Sequence, residues 1–241
     1  MNYGKKSTAK KRTALISRSS MMGKRARVSF IRVLFVSLIA LCIAVTCLGV
    51  GSFRGVIDTA PDVDDIDIMP LGYATFLYDD AGNQIRKLAA PDSNRLPVTL
   101  DQIPVDLQHA VVAIEDERFY EHNGIDVKGI LRAGMKALTT GDFSEGASTI
   151  TQQLIKLTVF NGGAETDTMQ RFKRKFQEWY LALKLEKEMS KDEIMEAYLN
   201  TINLGRGAYG VEAAAERYFN KKCSDLTVSE SAVIAAIAQS P

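Results

Sequence analysis

The chain has 241 residues, enough for one sizeable domain plus an anchor. Its net charge of +1 conceals a split: residues 1–32 carry ten Lys or Arg and no acid, which leaves 20 basic against 29 acidic residues in the remainder. That distribution excludes a uniformly basic nucleic-acid binder, and no nucleic-acid partner is expected. Cys42 and Cys47 sit inside an apolar run and Cys223 stands alone, so an intradomain disulfide and a zinc spacing are excluded; two histidines, His109 and His122, are too few for a His-rich metal site.

Residues 1–32 read as a disordered basic tail. Residues 33–53 follow without a charge and are mostly Leu, Val, Ile, Ala, Phe and Cys, long enough to cross a bilayer core of about 30 Å as a helix. A cleaved signal peptide normally has a shorter apolar stretch, and a buried core helix has no need of ten flanking cations. An uncleaved signal anchor is the expectation, with the N-terminus cytoplasmic by the positive-inside rule and the rest extracytoplasmic. Residues 54–94 are expected to form an acidic linker, bounded by Pro61 and Pro70, and then a short hairpin with its turn at Asp79-Asp80-Ala81-Gly82-Asn83. Residues 95–241 read as one domain whose pattern is helical after Pro104 almost to the end, and the chain stops directly after the apolar run Ala232–Ala238, which suggests a domain incomplete at its C-terminus.

Five stretches in the helical region carry candidate chemistry. EDERFYEHNG, residues 115–124, is expected to end a helix that starts near Pro104, with Val111, Glu115, Phe119 and His122 on one face and Gly124 as the stop. A carboxylate on a half-apolar face loses solvation, which suits Glu115 to general acid or base work; the same pattern fits a charge at the rim of an ordinary helix. GASTITQQLIK, residues 146–156, offers Ser148 and Thr149 as N-caps and sets Thr149, Gln152, Gln153 and Lys156 opposite Ile150, Leu154 and Leu157. Such a helix start is a cradle for phosphate or sugar hydroxyls, or simply a wet face.

KRKFQEWYLALKLEKE, residues 173–188, is expected to pack through Phe172, Phe176, Trp179, Tyr180 and Leu183. Arg171, Arg174, Lys175 and Glu178 form another side, either an exposed ion pair worth about 0.3–0.5 kcal/mol or a cationic wall for a pyrophosphate. SKDEIMEAYLNTINLG, residues 190–205, opens on a Ser190–Glu193 capping box and should end near Asn200. GAYGVEAAAERYF, residues 207–219, reads as core packing through small Ala faces.

Each stretch alone is weak; their order and spacing together are specific. The sequence resembles the peptidoglycan glycosyltransferases, the glycan-polymerising modules of class A penicillin-binding proteins and monofunctional transglycosylases. The resemblance covers about residues 95–241 and implies a mainly α, lysozyme-like domain of two lobes behind a transmembrane helix and a short β-hairpin, with the segment Ile130–Leu138 dipping into the membrane surface. It implies polymerisation of lipid II into β-1,4 glycan with release of undecaprenyl pyrophosphate, by inversion.

The resemblance assigns Glu115 as general base and Glu178 as a second catalytic carboxylate near the donor. It places Lys156, Arg171, Arg174 and Lys175 near the diphosphate, and Asp116, Phe119, His122, Gly124, Ser148, Thr149, Gln152, Gln153 and Asn200 about the cleft. No cofactor is required and no dedicated metal cage is legible, although some members of the family use Mg or Mn at the diphosphate. Lipid II, the growing glycan, the membrane, and cell-wall synthesis or division proteins are the implied partners.

One departure is that members often carry Arg eight residues before the second Glu; Gln170 stands there, with Arg171 one place on. The family domain also normally continues past the position of Pro241, where a transpeptidase domain would follow. A glycan-cutting lysozyme-like enzyme and a non-catalytic membrane scaffold are the rival readings.

Overall fold

The computed structural model describes residues 5–62, 68, 72–88, 94–141 and 146–239. The chain is mainly α and divides into two compact units, Met1–Gly55 and Val56–Pro241. Much of the linker expected between Pro61 and Pro70 lies outside the described residues.

Helix α1 runs unbroken from Lys5 to Ile57. The tail expected to be disordered is therefore helical from Lys5. The segment is rich in Lys, Arg, Ala, Leu and Met, all good helix formers, and its first proline is Pro61, so nothing stops the helix from propagating upstream of the apolar run. Val28–Ile57 is long and apolar enough to cross a membrane. Its large side chains, Phe30, Leu34, Leu41 and Leu48 among them, are exposed as lipid-facing residues are.

In the second unit, β1 (Thr75–Tyr78) and β2 (Gln84–Leu88) pair antiparallel, with Thr75 opposite Leu88 and an irregularity at Leu77/Tyr78. The expected turn closes because the Asp79 carboxylate accepts the Ala81 and Asn83 N–H groups at 3.0 and 2.6 Å. The hairpin belongs with the helical unit rather than with the linker: Lys87 pairs with Glu216 at 2.5 Å, and the Arg95 guanidinium lies over the Tyr209 ring at 4.6 Å.

Seven helices follow among the described residues: α2 (Val105–Glu115), α3 (Val127–Thr140), α4 (Ile150–Thr158), α5 (Thr168–Glu188), α6 (Lys191–Thr201), α7 (Val211–Phe219) and α8 (Val228–Gln239). Helix α2 packs along α8, and α4 packs on both α5 and α6. The core is filled by Leu107 and Val111 of α2, Ile150 and Leu154 of α4, Leu181 and Leu185 of α5, and Ile194, Met195 and Leu199 of α6. Ala213, Ala214 and Ala215 of α7 are buried, as the small-residue face required. The capping box at Ser190 forms, with Glu193 accepting the Ser190 N–H at 2.7 Å and Ser190 Oγ accepting that of Glu193 at 3.3 Å.

Two expectations are corrected. Helix α2 does not reach Gly124; it ends at Glu115, and residues 117–124 form turns. Asp116 leaves helical geometry because its side chain is recruited elsewhere, by the Ile150 N–H and by His122. The packing face of α5 is only in small part the aromatic stripe: Phe172, Phe176 and Leu183 are exposed and Tyr180 packs at the edge of the core, while Gln177, Glu178, Leu181, Ala182 and Leu185 are buried. That face is buried despite its polar residues because Gln177 and Glu178 both find hydrogen-bond partners.

Candidate active site

The site is built on helix ends. Thr149 caps α4, its hydroxyl oxygen accepting the Gln152 N–H at 3.2 Å. The same hydroxyl donates to the Gly124 carbonyl at 2.8 Å, and Gln152 Nε2 donates to it at 3.0 Å, so the turn after α2 is pinned to the first turn of α4. Asp116 strengthens the joint: its Oδ2 accepts the Ile150 N–H at 3.0 Å and meets His122 Nε2 at 2.9 Å. A carboxylate at a helix N-terminus is favoured by the exposed N–H groups there.

This joint sets Glu115 at the C-terminal end of α2, over α4. Its Oε2 accepts from Gln153 Nε2 at 2.7 Å. Its Oε1 is buried and has no hydrogen-bond partner among the described residues. Gln153 is itself held by Tyr198, whose hydroxyl donates to Gln153 Oε1 at 3.0 Å.

Glu178 of α5 is buried, with 1% exposure. One of its oxygens accepts from Arg174 Nη1 and the other from Lys175 Nζ, the latter at 3.0 Å. The surface ion pair weighed for Arg174 and Glu178 is therefore a buried one, where removing a single partner is costly. Lys175 also donates to Ser148 Oγ at 2.8 Å and to Gln152 Oε1 at 3.2 Å, tying α5 to the start of α4. Arg174 donates to Glu165 at 2.8 Å as well; desolvation is the largest single influence on its guanidinium and lowers the pKa, but the bonds and charges of Glu165 and Glu178 together outweigh it and raise the pKa.

Glu115, Ser148, Gln152, Gln153, Lys156, Lys175, Glu178 and Tyr198 line one cavity of about 490 Å³. A second cavity of about 240 Å³ shares Glu115 and Ser148 with the first and adds Asp116, Thr149, Arg118 and Arg132. Glu115 stands where the two meet. The Lys156 ammonium has no hydrogen-bond or ion-pair partner among the described residues, which leaves it free to meet an anion.

The remaining candidates lie outside the larger cavity's lining. Arg171 is exposed and donates to the Glu165 carbonyl at 2.9 Å. Asn200 is buried, with its amide bonded to the N–H and carbonyl of Val98 and to the carbonyl of Glu196. Phe119 is fully buried beneath Lys191, whose ammonium sits 4.4 Å from the ring centre. Arg174 is absent from the lining of both cavities.

Sequence reasoning passed over Tyr198. The signal was present: it shares the apolar stripe of α6 with Ile194 and Met195, and a phenol buried in such a stripe needs a partner for its hydroxyl. Asn203 and Gln239, which also line the larger cavity, carry no comparable signal.

Among the described residues no group of three or more His, Cys, Asp or Glu gathers as a metal site would require. The carboxylate at the cationic end, Glu178, is already bonded through both oxygens, so the donor set there does not fit a protein-held Mg or Mn.

Comparison with known proteins identifies the family. The family model described as "Transglycosylase" matches residues 81–241. Penicillin-binding protein 1A of Clostridium novyi (strain NT) is 46% identical over 198 residues, which is 80% of this chain and 22% of that protein. Penicillin-binding protein 1A of Clostridium perfringens (strain 13 / Type A) is 42% identical over 217 residues, 88% of this chain and 31% of that protein. The protein of that name from Escherichia coli (strain K12) is 44% identical over 207 residues, 83% of this chain and 23% of that one. The chain thus spans between about a fifth and a third of the length of these relatives. With a matched region that contains all the motifs above and both site carboxylates, the chain belongs to the transglycosylase family, the peptidoglycan glycosyltransferases of class A penicillin-binding proteins.

Proposed function

We propose that this chain polymerises lipid II into β-1,4-linked glycan outside the cytoplasmic membrane, releasing undecaprenyl pyrophosphate, with Glu115 as general base. The single observation that carries the reading is the cavity in which the unpartnered Oε1 of Glu115 shares the walls with Lys156, Lys175 and Glu178. The acceptor's 4-hydroxyl loses its proton to Glu115 Oε1 as its oxygen attacks the donor's anomeric carbon from the face opposite the leaving group. The anomeric C–O bond breaks with its electron pair going to the pyrophosphate, and the configuration inverts.

A diphosphate leaving group is already a weak base, so cations serve it better than a strong acid. Lys156 has its ammonium free among the described residues for that task, and Lys175 lines the same cavity. Glu178 holds Lys175, alongside Ser148 and Gln152, in a fixed place. In this reading the apolar helix Val28–Ile57 anchors the protein with its N-terminus in the cytoplasm, because nine cations and no acid precede it.

The test is product analysis with the full chain and labelled lipid II. Wild type makes polymer; Glu115→Gln, which keeps the side chain's shape, loses activity by about 10²-fold or more with an unchanged melting temperature. Finished peptidoglycan offered to the same protein yields no fragments. Polymerisation at the wild-type rate by Glu115→Gln, or release of fragments from finished glycan, would remove this reading.

A further inference from the structure

We infer that Tyr198 is a positioning residue: through Gln153 it fixes which atoms of Glu115 are free to take the proton. The inference rests on the reading of Glu115 as general base and extends it to a residue of another helix. Three side chains from three helices form one line: Tyr198 of α6 donates to Gln153 Oε1 at 3.0 Å, and Gln153 of α4 donates to Glu115 Oε2 of α2 at 2.7 Å.

The line has one permitted polarity. An ionised carboxylate only accepts, so Gln153 must present its N–H₂ to Glu115. That leaves the amide oxygen facing Tyr198, which must then donate. Turned by 180°, the amide would set its oxygen against the Glu115 carboxylate, two acceptors with no proton between them. A phenol suits the far end because it does not ionise there: burial pushes its pKa up, and the Glu115 and Asp116 charges push it further. Tyr198 is 1% exposed, so water does not compete for the bond from the solvent side.

The consequence falls on Glu115 alone. Its Oε2 is committed to Gln153 and its Oε1 has no partner among the described residues. The carboxylate therefore keeps one orientation, with Oε1 as the proton-accepting atom. Removal of the Tyr198 hydroxyl lets the Gln153 amide rotate and the carboxylate swing, while the cationic wall at Lys156, Lys175 and Glu178 is untouched.

The experiment compares wild type, Tyr198→Phe, Gln153→Ala and the double variant in the full chain. Tyr198→Phe is expected to lower kcat on lipid II about tenfold or more with KM unchanged, since misplacement of a reacting group slows the step without weakening binding. In the Gln153→Ala background, Tyr198→Phe is expected to have no further effect, because the line is already cut.

Independently of turnover, the side-chain amide ¹⁵N–¹H pair of Gln153 is expected to shift in Tyr198→Phe, and the backbone signals of α5 to stay in place. An unaltered Gln153 amide signal, or equal and additive losses in the two backgrounds, would overturn the inference. A wild-type chain that makes no polymer would instead remove the reading of the enzyme, and the Gln153 signal would still decide whether the line exists.

Discussion

Gly124 shows how much of the site rests on one residue having no side chain. Its φ is +86°, and a Cβ there would stand 2.7 Å from the Ala182 carbonyl oxygen of α5. Its own carbonyl is the shared acceptor of Thr149 and Gln152. Gly124→Ala is expected to destabilise the fold by about 1–3 kcal/mol from the backbone conformation, with the clash adding to it, which a thermal melt reads directly. The glycine was legible in the sequence as a stop, but for the wrong reason. The helix had already ended at Glu115, and no local pattern shows that Asp116 will be drawn out of it by Ile150, 34 residues away along the chain. Tyr198 was hidden similarly: its place in an apolar stripe said "core", and only the packing of α6 on α4 reveals what its hydroxyl meets.

Among whole elements, helix starts were the most legible and helix faces the least. The Ser190–Glu193 box and the Thr149 cap were both readable, because capping depends on residues within one turn. The core face of α5 was misassigned because hydrophobicity pointed to the aromatics, whereas burial followed the residues whose polar groups could be satisfied. A further box went unread at the start of α8, where Glu230 accepts the Thr227 N–H at 2.8 Å and also meets Lys221 Nζ at 2.8 Å. The Lys221 ammonium, followed by the Thr227 bonds, holds the Glu230 carboxyl down to about 2, against an ordinary 4.5. A depressed carboxyl pKa means that its contribution to α8 is fully present above the ordinary value and is lost as pH falls through about 2. A ¹³C titration of Glu230 is expected to show that midpoint, and Lys221→Ala to move it upward.

For the molecule as a whole, the sequence made the division between an apolar helix and a helical unit plain, and the cavity only partly so. Glu115, Ser148, Gln152, Gln153, Lys156, Lys175 and Glu178 do meet in one hollow, whereas Arg171 and Asn200 are engaged elsewhere. Spacing along a helix tells which side chains share a side; it does not tell which side another helix will cover. The α3 segment expected to meet the membrane leaves Leu131, Met135 and Leu138 exposed, the last by 89%. If that face seats in lipid, Leu131→Asp with Met135→Asp should slow polymerisation of lipid II held in vesicles by about a hundredfold or more while sparing the rate in detergent micelles, since each buried apolar side chain is worth about 1.5–3 kcal/mol.

The pairing around Glu178 bears on turnover. Both of its oxygens are matched by cations, and Arg174 is matched again by Glu165, so most of the positive charge at that end is answered from within the protein. Under the proposed reaction, a departing diphosphate would then find mainly one ammonium that is uncommitted among the described residues, that of Lys156. In that reading, a grip of that strength would steady charge while a bond breaks and still let go afterwards, as repeated additions along a lengthening strand would demand.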